Sequence, residues 1–342
     1  MQNSTFFRQF KRAFAIGLAM GVSLFLLPLL MLPGQETGAL DLLPPDPTPV
    51  LTPASTAPPG QWDSAQMLDV LLDDGTVAEM TMADYLWRVV AAEMPATFEP
   101  EALKAQAVCA RTYTLWKMEG GKHQEVGADI CGDSSCCQAY IGPAEAADKW
   151  GAQTEDYTAK IAQAVAETDG QVLTYEGKLI QAVFFSSSTD STEDAAAVWG
   201  NSLPYLVSVE SPEGEEVPNY RSTVTLTSAQ MQELAKTVGA TLPKDPSQWV
   251  TGISYTASGR VAQLVFGGIT LSGGAARSLF GLRSTCFAVE ETDGTFTFSV
   301  TGYGHGVGMS QYGANSMAKE GATWQDIVRH YYTGVSIDAL PL

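Results

Sequence analysis

Thr81-Met-Ala-Asp84-Tyr-Leu-Trp-Arg-Val-Val-Ala-Ala-Glu93-Met-Pro95, followed by Glu99-Pro100-Glu-Ala-Leu-Lys104-Ala-Gln-Ala-Val-Cys109-Ala-Arg111-Thr-Tyr113, decides how the chain is read. Thr81 with an acid three residues on is a capping box that opens a helix, and Pro95 keeps Met94 out of the helical region, so the helix stops near Glu93. Pro100 suits a first turn, good helix formers continue to about Met118, and Gly120-Gly121 ends the second helix.

Outward from this pair the pattern alternates between helix and strand. A third helix is predicted over 154–167, and strands 171–175 and 179–185 flank Glu176-Gly177-Lys178 as a β-hairpin. Further strands are predicted at 205–210, 222–226, 252–256, 260–266, 286–291 and 295–301. Further helices are predicted at 228–238, 275–280, 309–319 and 324–332, the last capped by Thr323 with Asp326. The sum is an α+β fold with an antiparallel sheet, not a regular βαβ alternation, and no dinucleotide or phosphate-loop fingerprint stands in its required setting.

Toward the N-terminus, residues 13–32 carry no charge, long enough at helical rise to span a bilayer, and the basic residues Arg8, Lys11 and Arg12 in segment 1–12 predict a cytoplasmic start. A cleaved signal peptide is the competing reading, and both send the rest of the chain out of the cytoplasm. Residues 33–61 hold eight of the 18 prolines and form a semi-stiff tether. The folded domain is therefore 62–342. Beyond the apolar run 16 basic residues face 38 acidic ones, a balance that repels phosphate backbones and disfavours a nucleic-acid partner.

Four clusters can carry chemistry. Glu93 sits at the end of an apolar helix, where the helix dipole and burial both raise its pKa and favour the protonated form that a general acid needs. A solvated glutamate, or an ion pair with Lys104 or Arg111, is the alternative. Those two stand seven apart on one helix face and reach Glu93 if the helices pack as a hairpin, in which case a close Arg lowers the pKa. Gly302-Tyr-Gly-His305-Gly-Val-Gly-Met309-Ser-Gln311-Tyr312-Gly313 places five glycines and one of three histidines between a strand and a helix. With Ser310 it reads as a polar wall suited to carbohydrate, or as a structural glycine turn with a satisfied histidine. Phe184-Phe-Ser186-Ser187-Ser188-Thr-Asp190 is a strand end running into hydroxyls, where turn chemistry is favoured over a serine triad. Finally His123, Cys131, Cys136 and Cys137, in a loop at 120–140, suit a closed tetrahedral structural zinc site, with a disulfide such as Cys131 to Cys136 or Cys137 as the alternative. Cys109 and Cys286 read as buried thiols.

Three of these stretches, Val89-Val-Ala-Ala-Glu93-Met-Pro-Ala, Glu101-Ala-Leu-Lys104 through Arg111-Thr-Tyr, and Gly304-His305-Gly-Val-Gly-Met309-Ser-Gln311-Tyr312-Gly-Ala, resemble the stage II sporulation protein D family in its motif order. Gly281-Leu-Arg-Ser-Thr and the Ser186 to Trp199 stretch resemble it too, so the likeness covers about residues 75–340. The resemblance implies a membrane-anchored lytic transglycosylase that cuts peptidoglycan glycan strands, denuded of stem peptides, to 1,6-anhydro ends during engulfment in sporulation. Glu93 stands at the family's catalytic acid, and Lys104 and Arg111 at its basic positions. Lys104, Arg111, Ser186, Ser187, Ser188, His305, Met309, Gln311 and Tyr312 are the expected substrate-binding residues. The zinc loop also resembles the family's, with Cys136 where a histidine is expected, which makes the site softer. A cell-wall amidase and engulfment membrane proteins are the implied partners, and the wall side of the membrane or the forespore intermembrane space the implied location. A non-catalytic amidase-enhancer protein that holds glycan is the alternative.

Overall fold

Local signals place the first elements. The structure, a computed structural model, describes residues 61–341 apart from 122, 124 and 125. The short helix α1 (Gln61–Ala65) leads into a hairpin of β1 (Met67–Leu71) and β2 (Val77–Thr81). Helix α2 (Met82–Glu93) starts where the Thr81 side chain accepts from the Asp84 N–H at 3.1 Å, and it ends because Met94, before Pro95, is extended (φ −117°, ψ 144°). Helix α3 (Pro100–Glu119) begins on Pro100, and Ala102, Leu103, Ala105, Ala107, Val108 and Cys109 are all fully buried. Burying a leucine or valine of this kind contributes roughly 1.5–3 kcal/mol, so α3 anchors the first core by its apolar stretch.

Strand β3 (Ile130–Cys131) joins β1 in parallel. Helices α4 (Pro143–Trp150) and α5 (Thr154–Ala166) cover α2 and α3, and β4 (Gln171–Tyr175) pairs with β5 (Lys178–Leu179). The expected strand over 179–185 does not continue. Ala182 N–H bonds back to Ile180 C=O and Val183 N–H to Gln181 C=O, two tight turns that free β6 (Phe184–Phe185) for another partner. After α6 (Ala195–Trp199) the stretch 205–210 is also not a strand. Leu206 is buried in a loop, and the backbone bonds there run singly to Ala195 and Thr192. Burial of one side of a loop imitates a strand's alternation.

A second core is then built from β7 (Arg221–Thr227), α7 (Ser228–Val238), β8 (Val250–Tyr255), β9 (Val261–Phe266), β10 (Ile269–Ser272), α8 (Gly273–Phe280), β11 (Phe287–Thr292) and β12 (Thr295–Thr301). Its two antiparallel sheets run β10-β9-β8 and β11-β12-β7, enclosing Phe266, Phe280, Phe296 and Phe298. Gly273 is needed where α8 leaves the sheet, because a Cβ there would lie 1.8 Å from the Val261 carbonyl oxygen. The chain then returns to the first core through β13 (Met309–Ser310), which pairs in parallel with β6, and α9 (Gln311–Lys319). It closes with α10 (Trp324–Tyr331), opened by the Thr323/Asp326 capping box, and β14 (Ser336–Ala339), antiparallel to β4.

The expected helix over 309–319 thus starts two residues late, because Ser310 serves as its N-cap. The fold class is α+β with mostly antiparallel strands, and two parallel pairings lie in the first core. Segment 1–12, the expected membrane span 13–32 and the expected tether up to residue 60 lie outside the described residues. Gln61, read as the tether's last residue, opens α1. No helix among the described residues is long and apolar enough to cross a membrane.

Candidate functional site

Glu93 is the last residue of α2, and its carboxyl is drawn inward between two strangers in sequence. The Ala139 N–H donates to Oε1 at 2.7 Å, and the Gln311 amide stands 3.4 Å from Oε2. Gln311 in turn reaches Gln106 on α3 at 3.5 Å, and the Gln106 Nε2 is buried without a partner. Burial raises the Glu93 pKa above its ordinary 4.5, and the two hydrogen bonds only moderate the rise. Both oxygens therefore accept, Oε1 in a short bond and Oε2 in a long, weak one. No second carboxylate among the described residues contacts it.

Gln311 comes from the glycine-rich segment, whose backbone lies against the β6 strand. At Gly308 (φ +76°) a Cβ would fall 2.1 Å from the Val183 carbonyl oxygen, so only glycine lets the turn close. His305 spends both ring nitrogens on backbone. Val307 N–H donates to Nδ1 at 3.1 Å, which puts the ring proton on Nε2, 3.1 Å from the Phe184 carbonyl. Burial, assisted by the positive charges of Arg277 and Arg260, pushes its pKa down to about 4, so the ring is neutral at pH 7. Its faces meet Phe185 and Trp199, each at 5.6 Å between centroids. Tyr312 stands beside Gln311, edge-on to Phe98 at 4.9 Å.

His123, Cys131, Cys136 and Cys137 bring one donor atom each to within 4.8 Å of one another. His123 Nε2 is 3.3 Å from Cys137 Sγ and 3.5 Å from Cys136 Sγ, and the two sulfurs are 3.5 Å apart. A tetrahedral zinc shell with bonds of 2.0–2.3 Å has ligand edges of roughly 3.3–3.8 Å, so this donor set fits such an ion. None of the three cysteines is bridged. The loop is tied down at one end by β3 and at the other by Gln138, whose amide donates to Thr114 Oγ1 at 2.9 Å. The next residue is Ala139, which holds Glu93.

These positions can be set beside known proteins. The family model SpoIID, described as "Stage II sporulation protein", matches residues 73–175. Stage II sporulation protein D of Bacillus subtilis (strain 168) is 43% identical over 264 residues, 77% of this chain and 76% of that protein. The chain belongs to the stage II sporulation protein D family. Stage II sporulation protein D of Bacillus amyloliquefaciens is 40% identical over 264 residues, covering 77% of this chain and 75% of its own length. The Amidase enhancer of Bacillus subtilis (strain 168) is 30% identical over 307 residues, which span 73% of this chain and 39% of that protein.

Within this SpoIID-family fold several expected site residues lie elsewhere. Lys104 pairs with Glu101 at 2.6 Å and Glu167 at 2.5 Å, on the side of α3 that faces α5 and α10. Arg111 is fully buried and grips Asp63 through Nε at 2.7 Å and Nη2 at 2.5 Å. Neither contacts Glu93, because the α3 face that carries them turns toward α1, α5 and β4. Met309 is completely buried with its sulfur on Cys109, which makes it core and not substrate wall. Cys286, read as a buried thiol, is half-exposed just ahead of β11.

Ser187 and Ser188 are buried in a seam between the two cores. The Ser188 N–H donates to Glu213 at 2.5 Å, the Ser310 hydroxyl donates to the same carboxylate, and Arg260 reaches Ser188 Oγ at 3.2 Å and Ser191 C=O at 3.1 Å. Ser186 offers its carbonyl to the Tyr312 N–H at 3.0 Å. Glu193 closes the seam by accepting from Thr256 and Ser258, each at 2.5 Å. Glu193, Glu213 and Arg260 were not singled out by sequence, and for Glu213 no local signal exists: it sits in the run Glu210-Ser-Pro-Glu213-Gly-Glu-Glu216, which reads as a solvated acidic loop.

Proposed function

We propose that this chain is a peptidoglycan lytic transglycosylase in which Glu93 alone serves as acid and then base. The observation that carries the reading is the half-buried Glu93, raised in pKa by desolvation and joined to the glycine-rich segment through Gln311. The protonated carboxyl gives its proton to the bridging oxygen between two sugars, and that oxygen leaves with the bond electrons. The resulting carboxylate then takes the proton of the muramic 6-hydroxyl as that oxygen attacks C1, closing a 1,6-anhydro ring. Water is not consumed, so the second carboxylate that an ordinary glycosidase uses is not required. The Ala139 N–H steadies the ionised intermediate form of Glu93 without abolishing its basicity. His305, neutral and fully engaged with backbone, shapes the turn and transfers no proton.

His123, Cys131, Cys136 and Cys137 are proposed to hold a structural zinc ion. Bound there, the ion would supply rigidity to the loop that ends at Ala139, and with four protein ligands it leaves no place for a reacting water. A membrane anchor at 13–32, a location on the wall side of the membrane and cooperation with a cell-wall amidase complete the proposal. The amidase-enhancer relative supports the last of these.

The deciding experiment is incubation of denuded glycan strands with the parent chain and with Glu93→Gln, followed by mass spectrometry. The expected result is anhydro-ended products from the parent and a rate lowered about 10²–10⁴-fold in the variant. Wild-type release by Glu93→Gln removes Glu93 from the mechanism, and glycan binding with no cleavage by the parent points instead to the amidase-enhancer type of role. For the metal, one zinc per chain by elemental analysis and a lower melting temperature after chelation are expected; an unchanged melt with zinc removed contradicts the staple.

A further inference from the structure

Between Ala102 and Ala110 the buried side chains of α3 are apolar except one, Gln106, which is wholly inaccessible to water. Its Oε1 accepts from the Gln311 Nε2 at 3.5 Å, while its own Nε2 is buried without a hydrogen-bond partner. An amide donor buried and left unpaired is destabilising, and a leucine of similar size carries no such donor. What a glutamine offers at this position and a leucine does not is therefore the oxygen, and that oxygen faces Gln311.

The backbone around Gln311 is fixed. Ser310 caps α9 by accepting from the Gly313 N–H at 3.3 Å, and the Tyr312 N–H donates to the Ser186 carbonyl at 3.0 Å. The side-chain amide still has two ends, exchanged by a half-turn, one with two N–H groups and one with a carbonyl oxygen. Its Nε2 stands between two acceptors, Glu93 Oε2 at 3.4 Å and Gln106 Oε1 at 3.5 Å, with one hydrogen for each. Two oxygens on that side admit the nitrogen and repel the carbonyl. Among the described residues the hydrogen bonds to the Glu93 carboxyl thus come from donors, the Ala139 N–H and the Gln311 amide. A reversed Gln311 amide would instead present its oxygen to Glu93, accept the acid's proton and hold it in an O–H···O bond inside the protein.

We propose that Gln106 is a positioning residue that acts through Gln311: its oxygen keeps the Gln311 amide turned nitrogen-first toward Glu93, so that the proton of the acid is left for the substrate. This rests on the reading of Glu93 as acid and then base, and deepens it. The same orientation serves the second half of the cycle, when the Gln311 N–H faces the carboxylate that has just given up its proton. With leucine at position 106 nothing selects the nitrogen. The Gln311 amide then reverses, its oxygen engages the proton of Glu93, and the glycosidic oxygen has to compete for it.

The test compares the full chain with Gln106→Leu, Gln311→Leu and the double variant on denuded glycan strands; Gln106→Met, closer in shape to glutamine, takes the place of Gln106→Leu should the latter not fold. Gln106→Leu should lower kcat about three- to tenfold, the range of one neutral hydrogen bond, and melt no lower than the parent because the unpaired donor is gone. KM should stay within about twofold. The double variant should cleave faster than Gln106→Leu and at the rate of Gln311→Leu alone, since the misplaced oxygen leaves with Gln311. Losses that multiply in the double variant, or a lower melt with a raised KM, overturn the proposal and mark Gln106 as packing only. A readout without turnover comes from the side-chain amide signals of the chain labelled with nitrogen-15 glutamine, assigned by their disappearance in each variant. In the parent the hydrogen-bonded signals should belong to Gln311 and not to Gln106, and Gln106→Leu should move one Gln311 hydrogen upfield. The opposite pattern, or Gln311 signals that do not move, overturns the role of Gln106 while the transglycosylase reading stands on cleavage by the parent. A parent that does not cleave overturns that reading and this role together.

Discussion

Two carboxylates, Asp63 and Glu93, are drawn in by neighbouring helices, Asp63 fully buried and Glu93 half-buried, and they meet different partners. Asp63 meets the Arg111 guanidinium, two hydrogen bonds and a full opposite charge, both groups essentially inaccessible to water. Burial lifts the Asp63 pKa, and the Arg111 charge and hydrogen bonds pull it back without cancelling the rise. Glu93 meets a backbone N–H and an amide, dipoles without charge, and burial there is only partly offset. An acid matched by a cation becomes a structural bond, and an acid matched only by dipoles holds its proton more tightly than it would in water.

Removing the cation is the strongest way to break this contrast. Arg111→Ala leaves Asp63 buried without its cation, and unfolding in urea should show a loss of about 3–5 kcal/mol. A loss under about 1 kcal/mol would mean that the pair is relieved by water. Removing the acid's charge should act in the opposite sense at Glu93. Its raised pKa means that the folded state holds the proton more tightly than the unfolded chain, so its contribution is full below the ordinary value of 4.5 and is lost as pH rises through the folded pKa. Glu93→Gln should therefore melt higher than the parent at pH 7, by on the order of 1 kcal/mol, with the gain vanishing near pH 4. A variant less stable than the parent at pH 7 would show that the carboxylate is well solvated. The smallest effect belongs to the dipole. Gln311→Leu removes a group that favours ionised Glu93, so the alkaline limb of the pH–rate profile should move up, with the plateau rate changed by less than about tenfold. A shift to lower pH would exclude Gln311 as a donor to Glu93.

Much of this was legible in the sequence. Helices α2, α3 and α10 carry their own start and stop signals, and β12 and α7 occur where alternation and capping place them. The clustering of His123, Cys131, Cys136 and Cys137 was readable because they lie within one loop. The two strand expectations that differ share a cause: 180–183, which interrupts the strand expected over 179–185, and 205–210 are loop packed on the core, whose one-sided burial repeats at the same period as a strand.

The sequence by itself determined helices α2, α3, α5, α7 and α10, the α+β class, the family and the placing of an acid at a helix end, because capping, proline restriction and periodicity act within a few residues. Tertiary structure decided what each charged group meets. Glu93 is held from 46 and 218 residues away, Arg111 finds Asp63 48 residues earlier, and Arg283 comes to the glycine-rich turn from a second core. Those meetings depend on which helix face turns inward and how the two cores close on each other, and the chemistry of a buried charge is set by its nearest partners in space, not by its neighbours in the chain.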